Sequence, residues 1–63
     1  MNIYSVQWVE YGLYGLSGVV VASDAGEALK VIDLDEQCTE VCVTVMGKAL
    51  PEFASGIICK ESL

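Results

Sequence analysis

A small α+β domain is the fold class this sequence predicts, with one helix packed on one face of a single-layer antiparallel or mixed sheet. Three observations carry that expectation. Residues 2–10 alternate in the period of a strand, with Tyr4, Val6 and Trp8 set against Ser5 and Gln7. A helix-start pattern followed by an apolar stripe of helical period occurs at residues 24–32. Two more segments rich in strand formers follow it. The expected order of elements is β-β-α-β-β, in one domain spanning residues 1–63, because no linker or charge block divides the chain.

The first strand carries Ile3 and Val9 on its second face, so both of its faces hold apolar groups. Residues 11–18 contain Tyr-Gly-Leu twice in tandem, then Ser-Gly. Glycines allow a left-handed backbone, so the middle of this stretch is expected to connect a hairpin. A second strand should then run from about Leu16 to Ala22. Asp24 with Glu27 fits a capping box, and Ser23 is an alternative cap. Ala25, Ala28, Leu29 and Ile32 form the helix's apolar stripe. The helix should stop near Leu34, where Asp33, Asp35 and Glu36 crowd an end that disfavours negative charge.

The third strand, residues 39–46, sets Val41, Val43 and Val45 on one face and Cys42, Thr44 and Met46 on the other. Pro51 makes residues 50–53 a loop, since proline cannot donate to a central ladder. Residues 56–60, with Ile57, Ile58 and Cys59, form a short fourth strand. A strand order of 2-1-3-4 is expected. If the second and third strands are parallel, the helix between them makes a right-handed crossover.

Composition and size bear on function. Of the 63 residues, 54% are hydrophobic. A domain this small buries only about 60% of the surface its unfolded chain exposes, so such domains draw on disulfides, metals or association. The three cysteines, Cys38, Cys42 and Cys59, are an odd number, and no secretory signal is visible at the start. The expected compartment is therefore the cytoplasm, where thiols stay reduced. The longest unbroken apolar run, residues 19–22, is far short of a membrane span of ~18 residues.

The chain carries nine acids against Lys30, Lys48 and Lys60, for a net charge of -6. Phosphate binding needs basic groups, so nucleic acid is not an expected partner. Acidity favours a basic protein partner instead. Cys38 and Cys42, four residues apart on one strand, would lie about 13 Å apart, too far to share a zinc. Asp33, Asp35, Glu36 and Glu40 lack the glycine and distal glutamate of a calcium loop. There is no histidine, no nucleophile elbow and no glycine-rich loop with a phosphate lysine. A chain of this length also has little room for a pocket of ~300 Å³ except between subunits. No catalytic residue, cofactor or metal is expected.

Residues 19–29 resemble the hairpin-helix unit of HicB-like antitoxins, although the proline-glycine signature expected between strands of that family is missing.

The expected function is that of a small non-catalytic interaction module that self-associates, as a dimer, through the apolar sheet face opposite the helix. Its contact surface is expected at Tyr11, Leu13, Tyr14 and Leu16 in the connection, and at Val20, Cys42 and Met46 on the sheet. The alternative is an acidic inhibitor or antitoxin-like adaptor that docks on a basic surface of a larger protein.

Overall fold

The computed structural model describes residues 1–34, 36–50 and 52–61; the side chains of residues 13–15 lie outside that description. Asp35 of the acidic cluster and Pro51 of the expected loop also fall outside it. The elements are β1 (Asn2–Glu10), β2 (Leu13–Ala22), α1 (Ala25–Ile32), β3 (Cys38–Lys48) and β4 (Gly56–Lys60). Together they make an α+β fold: a four-stranded sheet, antiparallel between all neighbours, with one short helix.

β1 is a half-buried strand of the expected alternation. Tyr4, Val6, Trp8 and Glu10 are buried, and the residues between them are half-buried or exposed. Residues opposite one another on antiparallel strands share a face. Tyr4 faces Val20, Val6 faces Gly18 and Trp8 faces Leu16. The core therefore forms between this face and α1. It comprises Tyr4, Val6, Trp8, Val20, Ala22, Ala28 and Ile32. Of the helix stripe, Ala28 and Ile32 are buried, while Leu29 stays exposed at its margin.

The hairpin is tighter than the glycine pattern suggested. Tyr11 (φ 52°) and Gly12 (φ 77°) are both left-handed, and they alone connect β1 to β2. Two successive positive φ values are the mark of the turn whose twist matches the flanking strands. The first Tyr-Gly unit makes the turn. The second is absorbed into β2, which starts at Leu13 rather than near Leu16. A register shift between Trp8 and Glu10 takes up the extra residue.

Gly18 is a packing glycine, not a turn residue. A Cβ built there would lie 2.6 Å from Ile32 Cδ1 and 3.1 Å from the Cys59 carbonyl oxygen. Glycine lets the helix end settle onto the sheet.

The cap of α1 is as the sequence implies. Asp24 is the N-cap and accepts a hydrogen bond from the Glu27 N–H at 2.8 Å. The C-terminus comes earlier than expected. The helix ends at Ile32, and Asp33 takes the left-handed conformation (φ 52°), its N–H donating to the Leu29 carbonyl. The exposed carbonyls there meet a cation from β4: Lys60 Nζ donates to Ile32 O at 2.9 Å. A positive charge at a helix C-terminus is favourable. Lys60→Met, which keeps the aliphatic stem, should lower stability by about 0.3–1 kcal/mol in urea titrations. An unchanged midpoint would show that the ammonium contributes nothing.

The sheet order is β3-β1-β2-β4, not the expected 2-1-3-4. The β1 neighbours were foreseen, but β4 pairs with β2 rather than with β3. β2 and β3 each run antiparallel to β1 and so parallel to one another, with α1 as their crossover. The chain from Lys48 to Gly56 joins opposite borders of the sheet, and Ala49, Leu50 and Phe53 lie beside Ile3 and Val21. Three strand spacings, about 14 Å, are within the reach of such a segment. Placed against β2, β4 sets Ile57 opposite Val20 and brings Lys60 to the helix end. Among the described residues, the outer edge of β3 has no neighbouring strand.

Candidate functional site

Register assigns the exposed residues to surfaces. The face away from the helix carries Ile3, Ser5, Gln7 and Val9 of β1, opposite Val21, Val19 and Ser17 of β2 and Gly47, Thr44, Cys42 and Thr39 of β3. Cys59 of β4, opposite Val19, lies on the same face. This face is mixed, with serine, glutamine and threonine interrupting the valines. It is also covered at one end, where Ile3, Val21, Ala49, Leu50, Phe53 and Ile58, with Lys48, line an apolar recess of about 420 Å³. That volume is larger than expected of so short a chain, which was given little room for a pocket of ~300 Å³ except between subunits. Ala49, Leu50 and Phe53, which lie between β3 and β4 in sequence, supply part of the lining of the recess.

The expected contact residues separate. Val20 is fully buried in the core beneath α1, on the opposite face from the one expected. Its neighbour Val21 has the outward position, and a shift of one residue along a strand exchanges the faces. Leu16 is half-buried and packs against the core, opposite Trp8, so it offers little contact area. Cys42 lies on the outer face, exposed, opposite Gln7. Met46 is 62% exposed, where the β1–β3 register shifts, and Tyr11 is 65% exposed at the hairpin turn. The backbones of Leu13 and Tyr14 belong to β2; their side chains lie outside the described residues. The seven residues thus form no single patch.

Cys38 and Cys42 sit on opposite faces, one across from Glu10 and the other across from Gln7. Among the described residues no group of three or more histidine, cysteine, aspartate or glutamate side chains is placed to hold a metal ion. Among the described residues no helix is long and apolar enough to cross a membrane.

Sequence reasoning missed a polar cluster at the hairpin end. Glu10 is buried, and its Oε1 accepts from Trp8 Nε1 at 3.1 Å and from Cys38 Sγ at 3.6 Å. The signal was Trp8 itself, since a buried indole N–H seeks an acceptor and position i+2 shares its face.

A second polar knot joins α1 to the segment between β3 and β4. The Glu27 carboxylate accepts from Ser55 Oγ, from Ser23 Oγ at 2.8 Å and from Ser23 N–H at 3.2 Å. The Ser55 hydroxyl first, then the Ser23 side chain and N–H, hold this carboxyl below its ordinary value of 4.5; Lys30 adds a smaller attraction. A carboxyl depressed in the folded state contributes stability in full above its unfolded value. That contribution is lost as pH falls through the lower folded value. Glu27→Gln should therefore flatten the loss of stability as pH falls below the ordinary value of 4.5 in urea titrations. A variant whose profile runs parallel to the parent would contradict this.

Comparison with protein-family models, with curated proteins and with solved structures found no match.

Proposed function

We propose that this chain is a small protein-interaction module with no catalytic role, and that it self-associates. One observation supports the reading above the others: large apolar side chains stand in water along the two sheet edges and the segment between β3 and β4. Val45, Met46 and Ile58 are each 60–62% exposed, and Leu50 and Phe53 are more than half exposed. Isolated apolar residues on a surface are ordinary, but adjacent ones on strands and the loop that joins them mark contact surfaces. The contact surface is therefore assigned to the strand edges rather than to the middle of the outer face, whose valines alternate with polar groups.

Light scattering at micromolar concentration tests the proposal. The expected result is a mass that is a multiple of 6.7 kDa and that persists in high salt, because apolar contacts are not screened. A monomer at all concentrations would overturn it. An assembly that dissolved as salt rose would instead favour the acidic adaptor, whose docking on a basic partner is electrostatic.

A further inference from the structure

We infer that the occupant of the open β3 edge is the β3 strand of a second copy, paired antiparallel about a two-fold axis at Thr44. The inference rests on the self-association proposed above and names its surface. β3 is the longest strand and forms one border of the sheet. An edge strand offers a row of unpaired N–H and C=O groups, and proteins blunt such edges with charges, proline or β-bulges. Here residues 41–47 contain no charge and no proline, and residues 42–45 are also free of register shifts. The register shifts in the β1–β3 ladder fall towards the two ends, between Cys42 and Thr39 and between Val45 and Gly47. They leave residues 42–45, which include the proposed axis, in regular register with β1.

Charge placement selects a second copy over an unrelated strand. Glu40 and Lys48 are the charged residues of β3, and they lie four positions to either side of Thr44. Both are exposed, and among the described residues neither side chain has a hydrogen-bond or ion-pair partner within the chain. Counted along the chain, a two-fold at Thr44 brings Glu40 of each copy level with Lys48 of the other, with a register shift between each of them and the axis and Glu40 itself left-handed (φ 50°). It also sets Val43 across from Val45 and threonine across from threonine. Opposite charges, β-branched pairs and threonine pairs are the cross-strand combinations that stabilise an antiparallel ladder. A two-fold interface requires such self-complementarity, and a strand from another protein would not.

Charge exchange and cross-linking test the inference together. Glu40→Lys and Lys48→Glu, each alone, set like charges level with one another twice per dimer and should raise the dissociation constant about tenfold. The double variant restores both pairs in reversed sense and should recover the parent value. Circular dichroism of each variant checks that the fold is retained. Separately, Thr44→Cys in a Cys42→Ala, Cys59→Ala background should form a disulfide between copies at position 44 under mild oxidation. Directly opposed antiparallel residues lie about 4.5–5.5 Å apart at Cα, within disulfide reach. A dimer indifferent to both charge variants, or one that yields no such cross-link, would overturn the edge pairing and leave self-association standing. A monomeric parent would overturn both.

Discussion

Trp8→Ala should lower stability by about 3–5 kcal/mol, the range for removing a large aromatic from a core. A chain of 63 residues has about 3–9 kcal/mol to lose, at roughly 0.05–0.15 kcal/mol per residue, so much of the population should unfold. Trp8 is 2% exposed and the largest of the fully buried side chains. It lies opposite Leu16 in the core, and its indole N–H also satisfies the buried Glu10 carboxyl. Trp8→Phe separates these roles. Most apolar volume returns, but Glu10 loses a donor, and a buried polar group without its partner costs about 1–3 kcal/mol. Chemical denaturation followed by far-ultraviolet circular dichroism measures both. A cooperative transition for Trp8→Ala near the parent midpoint would refute this account of the core.

Gly18→Val should be nearly as damaging, and Gly18→Ala should cost about 1–3 kcal/mol as an overpacked site. The added Cβ meets two neighbours that cannot both yield. Ile32 Cδ1 ends a flexible side chain, but Ile32 is fully buried, and the Cys59 carbonyl is backbone of the adjacent strand. Relief therefore requires the helix end or β4 to move, which also pulls Lys60 from the Ile32 carbonyl. Gly56→Ala is the matched control, because a Cβ there meets nothing within 4 Å and its φ is not left-handed. Equal midpoints for Gly18→Ala and Gly56→Ala would remove Gly18 from its packing role.

These two residues mark how far the sequence could be read. Trp8 was legible as core because its strand alternates cleanly, and alternation is a local property of a pleated chain. Gly18 was not. A glycine required by a helix that approaches from elsewhere looks the same, in sequence, as a glycine required by a turn. The same ambiguity displaced the start of β2, since the tandem Tyr-Gly-Leu offered two possible turns and only the pairing of Glu10 with Leu13 selects the first. The helix start at Asp24 was readable because a cap is made by residues three apart. Its end was misplaced by two residues, because the stop is completed by Lys60, 28 positions away.

The contact surface divides in the same way. Tyr11, Cys42 and Met46 are exposed as expected, but Val20 and Leu16 belong to the core side. An unbroken apolar run such as residues 19–22 has no alternation to tell its faces apart, so the register with β1 had to decide.

Local pattern alone determined that this chain makes a hairpin, one capped helix and two further strands, and that its apolar content exceeds what so small a domain readily hides. The tertiary structure decided which strands became borders. β4 pairs with β2, and among the described residues β3 has an open edge that carries Glu40 and Lys48. Strand order is set by contacts between distant segments and by the length of the chain joining them. Neither is written in the period of any one strand.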